Sequence, residues 1–308
     1  MAIPTPGLRH VPLKSVLYML GGVFFLAVMD ASAKWLTSGY SVVQLIFIGR
    51  LPAPVFAAVL ALASGGLGTL KTTRIGWHLL RAIFGALTMG TFFYALKLLP
   101  LADTVTIAFV GPLFMCALSV PLLGEKVEPR RWIAILVGLA GVVVILQPSG
   151  AGFGLGPVLA LTAAFTYAVS VNISRRISDT ETSHSMLFWF SMFLIISSGS
   201  FAPLEWVTPH GSDLAVFVAL ACSGTVGQFL LTQAFRYGEI SFLAPLEYTA
   251  LIWATLFGFL FWQQFPTPTV LAGAAIIVAC NLYLVHREAR AHGRRLDQAI
   301  PAPHVPET

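Results

Sequence analysis

FFYALKLLPLADTVTIAFVGPLFMCALSVPLLGEKVEPRRWIAILVGLAGVVVILQP, residues 92–148, holds two apolar runs, Thr104 to Leu123 and Trp132 to Leu146, joined by a short loop that carries Glu125, Lys126, Glu128, Arg130 and Arg131. Moved forward by 139 positions, its outline returns in LTQAFRYGEISFLAPLEYTALIWATLFGFLFWQQFPTPTVLAGAAIIVACNLYLV, residues 231–285. Ala95 then falls on Ala234, Ala102 on Ser241, Phe109 on Tyr248, Glu125 on Gln264, Pro129 on Pro268 and Ala134 on Gly273. Identities are few, but small, aromatic and loop-entering proline positions keep their places, as in an old duplication.

Composition fixes the solvent. Of 308 residues 57% are hydrophobic and 10% charged, against about 25% charged in ordinary soluble domains. Apolar windows near 20 residues recur along the chain, each long enough to cross a ~30 Å hydrocarbon core as a helix. Ten spans are predicted: 15–36, 42–62, 75–96, 104–123, 131–147, 156–175, 184–203, 213–235, 240–261 and 268–286. The expectation is an all-α membrane protein, with ten transmembrane helices arranged as two inverted five-helix repeats. Residues 1–14 form a short N-terminal segment, 15–147 the first repeat, 156–286 the second and 287–308 a disordered tail. Arg9, His10 and Lys14 before an apolar run that ends near Ala31-Ser32-Ala33 resemble a signal peptide. Asp30 interrupts that run, however, and a similar helix opens the second half, so an uncleaved first span is expected.

The loops give the orientation. One side collects Arg9, Lys14, Lys71, Arg74, Lys126, Arg130, Arg131, Arg175, Arg176, Arg236, Arg287, Arg290, Arg294 and Arg295, while on the other Lys34 and Lys97 sit at the ends of spans one and three and the loops near 148–155, 204–212 and 262–267 carry no Lys or Arg. The positive-inside rule puts the basic side and both termini in the cytoplasm. The net charge of +5 then reflects topology and contact with anionic lipid, and gives no support to a nucleic-acid partner. Because five is odd, the second repeat enters the bilayer upside down relative to the first, a construction that recurs in secondary transporters.

Helix-end chemistry agrees with the spans. Pro129 and Pro268 stand where a first helical turn begins, a position at which a missing N–H costs nothing. Pro52, Pro54, Pro112 and Pro245 lie inside spans and free carbonyls that neighbours or a wet cavity must satisfy. Gly138, Gly141 and the Ala/Gly-rich stretch from Val270 to Ala279 allow close helix contact.

Together with the repeat, Phe93-Tyr94-Ala95-Leu96, Pro100-Leu101-Ala102-Asp103, Gly111-Pro112-Leu113-Phe114 and Gly124-Glu125 resemble the drug/metabolite transporter superfamily and its EamA-type members. The resemblance covers residues 15 to 286. It implies ten helices in two EamA units, a bacterial inner-membrane location, and export or uptake of small metabolites through a central cavity. One departure is Gln264, which stands where the first half has Glu125. Met29-Asp30-Ala31-Ser32-Ala33-Lys34, followed by Gln44 and Arg50, is similar to a subgroup associated with uptake of vitamins or nucleoside-like metabolites such as riboflavin or S-adenosylmethionine. Aromatic amino-acid exporters share most of the same outline.

Ionised side chains at bilayer depth cost about 2.5 to 3.5 kcal/mol each even on a lenient scale, so each calls for a partner or a wet cavity. Asp30 and Lys34, four residues apart, share a helix face. Asp30 and Arg50 are expected at similar depth, either as an ion pair that fastens spans one and two or with a role in binding or gating. Arg81 and Glu247 match in depth from opposite halves; they either pair as a gate near the inner mouth or stand as structural residues, unpaired at the interface, with the arginine snorkelling to a nearby surface. Tyr94, Thr106, Tyr167, Gln228, Gln233, Tyr248 and Trp253 are the cavity candidates, since aromatic faces with a few hydrogen-bonding groups suit a flat organic solute. Trp35, Tyr40 and Trp206 sit at span ends as interfacial residues.

Catalytic and cofactor signatures are missing from the sequence. The glycines of 150–156 lie between membrane helices rather than after a soluble strand, so a dinucleotide site fails on context. There is no H-E-x-x-H and no phosphate loop. The expected partners are a small organic metabolite, the lipid bilayer and a coupling ion, proton or sodium; no metal, cofactor or nucleic acid is expected. The alternatives are an intramembrane enzyme, which needs a nucleophile or acid pair with a partner at matching depth, and a receptor or scaffold.

Overall fold

The computed structural model describes residues 13–124, 129–146, 154–237 and 240–299. Its helices are α1 (Leu13–Leu36), α2 (Val42–Arg50), α3 (Pro52–Ser64), α4 (Ile75–Leu98), α5 (Leu101–Ala108), α6 (Gly111–Leu123), α7 (Pro129–Leu146), α8 (Leu155–Ile177), α9 (Ser183–Phe201), α10 (Ser212–Tyr237), α11 (Ile240–Glu247), α12 (Thr249–Trp262) and α13 (Pro268–Ala299). Helices α2 with α3, α5 with α6, and α11 with α12 each make one broken crossing. Among the described residues nine stretches are long and apolar enough to span a bilayer, and a tenth, Arg131–Ile145 in α7, is shorter. The last helix runs to Ala299, past the tail expected from 287, because Arg, Glu and Ala in that stretch are good helix formers even where they have left the apolar run.

The duplication is written into the backbone. Helices α7 and α13 begin at Pro129 and Pro268, 139 positions apart. The breaks inside the fourth and ninth crossings fall at Phe109–Val110 and at Tyr248, again on matched positions. The helices that follow both end on a left-handed cap, Gly124 at φ 73° and Gln263 at φ 55°. Glycine adopts that geometry freely, whereas another L-residue there costs about 1–2 kcal/mol. Gln263→Gly is therefore expected to stabilise the protein by about 1 kcal/mol, read as a higher thermal midpoint in detergent; a lower midpoint would contradict the strain.

Packing follows the same two-fold. Helix α1 lies along α10 and α4 along α8, the third span of each half against the first of the other, while α7 packs on α13 and α2 and α3 pack on α9. At the α1–α10 crossing Gly22 and Gly227 let the backbones meet: a Cβ on either would lie 3.0 Å from the backbone nitrogen of Leu231 or Leu26. The mated α4–α8 crossing has Thr88 at the position of Gly227, and there Thr88 Oγ1 donates to Thr166 Oγ1 at 2.9 Å. Small residues and interhelical hydroxyl bonds are the two ordinary means of helix association in lipid.

Candidate functional site

The breaks bring the two halves together at the centre. The Phe109 and Tyr248 rings, mates under the repeat, touch at 5.1 Å between centroids. Pro112 leaves the first turn of α6 short of a donor, and Leu113 N donates to Val110 O rather than to Phe109 O. The freed Phe109 carbonyl accepts instead from Asn281 Nδ2 at 2.8 Å. The proline-freed carbonyl expected from the sequence is thus satisfied by a neighbouring helix.

Beside this junction lies an open space, revealed by side chains that are exposed on buried helix faces. Tyr167 is 49% exposed, yet it stands on the face of α8 that buries Ala160, Ala163, Ala164 and Ser170. The lipid-directed face of that helix is a different one, marked by Val158 and Phe165. Gln228 is likewise exposed on the stripe of α10 that holds Phe217, Ala221 and Gly224. Asp30 shares the inward stripe of α1 with Val23, Ala27 and Lys34. The Tyr167 phenol lies within electrostatic range of both Arg81 and Glu247, and Arg81 within range of Arg50.

Several expected roles change. Among the described residues no ion pair joins Asp30 to Arg50, Asp30 to Lys34 or Arg81 to Glu247. Arg50 turns from Asp30 toward α4, donating from Nε and Nη2 to Met89 Sδ at 3.2 and 3.0 Å. Arg81 donates from Nη1 to Met186 O at 2.9 Å. Matched depth failed as a guide because each arginine projects along its own helix face toward α9. Lys34 serves as a helix cap: Nζ donates to Leu96 O at 2.8 Å and Leu99 O at 2.5 Å, carbonyls left over at the end of α4. Thr106, expected at the cavity, is 2% exposed, its hydroxyl turned back onto Ala102 O. Tyr94 shares the outward face of α4 with Leu80, Ile83, Leu87 and Leu98. Gln233 continues the outward stripe of Cys222 and Val226. Trp253 packs edge-on to Phe24 at 4.9 Å.

The two faces of the protein differ. At the face opposite the N-terminus one buried cluster joins Leu36, Leu45, Phe93, Leu101, Phe217 and Ala254, so both halves close on each other there. Gln44 adds a two-way tie to the Val207 backbone at 2.6 and 3.1 Å, and Tyr40 donates to Asp213 at 2.9 Å. At the N-terminal face the packing divides. Met19, Ala234 and Leu243 hold α1, α10 and α11 together. Across from them, Glu181 accepts from Thr72 at 2.8 Å and Ser185 at 2.9 Å, with His78 Nε2 at 3.3 Å. Burial pushes the Glu181 carboxyl up, but the Thr72, Ser185 and His78 donors outweigh it and hold the carboxyl below its ordinary value. Among the described residues no buried apolar cluster joins the two groups.

Sequence reasoning missed His78, Glu181, Asn281 and Phe190. His78 stands three residues before Arg81 on one face of α4, a spacing that could have marked it. Nothing distinguished Phe190 from the many other phenylalanines.

The chain and its fold have known relatives. The model of the EamA-like transporter family matches residues 13–147 and 154–285. An S-adenosylmethionine uptake transporter of Rickettsia felis is 30% identical over 230 residues, 75% of this chain and 78% of that one. A riboflavin transporter of Vibrio cholerae is 24% identical over 93% of this chain and 98% of its own length. A pseudopaline exporter of Pseudomonas aeruginosa is 28% identical over 83% and 91%. A solved crystal structure superposes with a TM-score of 0.61 at 24% identity, over 85% of this chain and 96% of that one. With both halves matched by the family model, and with the helix breaks and caps repeating at the same spacing, the chain belongs to the EamA-like transporter family.

Proposed function

We propose that this protein is a secondary carrier of the bacterial inner membrane, with both termini in the cytoplasm, that moves a small organic solute through the central space by alternating access. The observation that carries this is Tyr167, half exposed on a buried helix face between Arg81 and Glu247, in a frame closed on one face and divided on the other. Asp30, Arg50, Arg81, Tyr167, Gln228 and Glu247 line the route, and the arrangement is the cytoplasm-facing state. The relatives support S-adenosylmethionine and riboflavin as first solutes to try. Purified protein in liposomes is expected to accumulate one of them, or a solute of similar size, above the leak of empty vesicles; a broad solute screen without carrier-dependent flux would overturn the transport reading.

Orientation has its own test. In intact cells a membrane-impermeant thiol reagent is expected to label His210→Cys and Phe265→Cys but to reach Gly68→Cys and Ser178→Cys only after permeabilisation. The reverse pattern would place the termini outside.

A further inference from the structure

We propose that Arg50, Arg81 and Phe190 form a carboxylate-binding subsite in the central space, which favours a solute that bears a carboxylate, as S-adenosylmethionine does, over one that bears none, such as riboflavin. This deepens the transport reading and rests on it. The two guanidinium carbons, one at the end of α2 and one on α4, lie 5.8 and 4.4 Å from the centroid of the same Phe190 ring on α9. They are close enough to repel each other, and among the described residues no carboxylate bridges them.

Their donors are under-used. A guanidinium offers five N–H groups in a planar fork. Arg81 places one on Met186 O and leaves Nε buried without a partner. Arg50 spends two on the Met89 thioether, a weak acceptor. Two cations at bilayer depth with unsatisfied donors call for negative charge from elsewhere.

Packing does not explain the pair. The inverted repeat puts Trp189 opposite Arg50 and Leu220 opposite Arg81, 139 positions on, and the second half folds around those residues without a charge. A planar carboxylate matches the guanidinium fork with two parallel hydrogen bonds, and the face of Phe190 offers an apolar seat beside it. Glu247, which shares the Tyr167 phenol with Arg81, disfavours an anion of higher charge.

Full-length protein in detergent, titrated with sodium benzoate and followed by thermal unfolding, tests this. Benzoate is expected to raise the midpoint in a saturable way, while benzamide, which has the same ring and no charge, does not. Arg50→Gln and Arg81→Gln are each expected to weaken benzoate at least about tenfold, near 1.4 kcal/mol. If the glutamine variants do not fold, Arg50→Lys and Arg81→Lys keep the charge without the fork and are expected to weaken it measurably. Equal effects of benzoate and benzamide, no effect of benzoate, binding of benzenesulfonate as tight as benzoate, or wild-type affinity in the arginine variants would each overturn the subsite. Flux of a solute without arginine-dependent benzoate binding defeats this inference alone, whereas arginine-dependent binding in a protein that carries nothing defeats the transport reading alone.

Discussion

Gly273→Leu is expected to remove the folded protein from the membrane, and Gly273→Ala to lower its stability by at least the ~1–3 kcal/mol typical of an overpacked core. The reason is the approach of α13 to α7. A Cβ built on Gly273 lies 2.7 Å from the carbonyl oxygen of Gly141 and also overlaps the Ile145 side chain. A side chain could rotate aside, but a helix carbonyl cannot. Relief therefore requires the two helices to separate, which unpacks the buried set of Leu113, Ile135, Val142 and Ile277. The contact is reciprocal, since a Cβ on Gly141 would meet Gly273 O at 3.2 Å. Yield of monodisperse protein and its thermal midpoint provide the measurement. Gly68→Ala, where nothing lies within 4 Å of the added carbon, is the control and is expected to change stability by no more than about 0.5 kcal/mol. A Gly273→Leu protein with wild-type yield and midpoint would mean that α7 and α13 do not touch through these glycines.

Sequence periodicity carried the fold because lipid imposes it: each crossing must be helical, and composition marks each one. The repeat spacing relates the breaks and caps that the structure shows, since Phe109 and Tyr248, Gly124 and Gln263, and Pro129 and Pro268 hold the same structural posts, but the sequence alone reads the fourth and ninth crossings each as one unbroken span. Glycines at 138, 141 and 273 were legible as contact points for a similar reason, because an interface in lipid needs small residues. Side-chain partners were not legible. Depth along the membrane is one coordinate, and pairing needs the helix rotation as well. Arg50 and Arg81, matched in expected depth to Asp30 and Glu247, turn instead to Met89 Sδ and Met186 O. Tyr94 and Gln233 are polar residues on outward stripes, and the rotation that puts them there is plain only once Leu80, Ile83 and Leu87, or Cys222 and Val226, are seen exposed beside them. Tyr167 and Gln228 were identified by the same polarity and lie on inward stripes. Polarity nominated all four, and helix rotation separated them.

Lys34→Met is expected to open the face opposite the N-terminus, the second large effect. The last carbonyls of α4 have no partner within their own helix, and the turn that follows begins with Pro100, which brings no N–H. The ammonium of Lys34 reaches across from α1 to bind Leu96 O and Leu99 O, lies 5.4 Å from the Trp262 ring and feels Asp103. One cation thereby fastens α1, α4, α5 and α12 at the level where the two halves close. Methionine fills similar volume and supplies none of these bonds, and hydrogen bonds to a charged group contribute about 1.5–3 kcal/mol. Even about 1.4 kcal/mol shifts a two-state ratio tenfold. Thr104, fully buried in α5 just beneath the fastening, reports the change. In a background without Cys116, Cys222 and Cys280, an impermeant thiol reagent applied to intact cells is expected to modify Thr104→Cys about tenfold faster once Lys34 is methionine, with solute flux reduced because the closed state no longer persists. Lys34→Arg, which can still donate to both carbonyls, should recover part of the protection. If Thr104→Cys reacts at the same slow rate in all three backgrounds, the seal resides in the apolar cluster of Leu36, Phe93 and Leu101, and Lys34 only satisfies the end of α4.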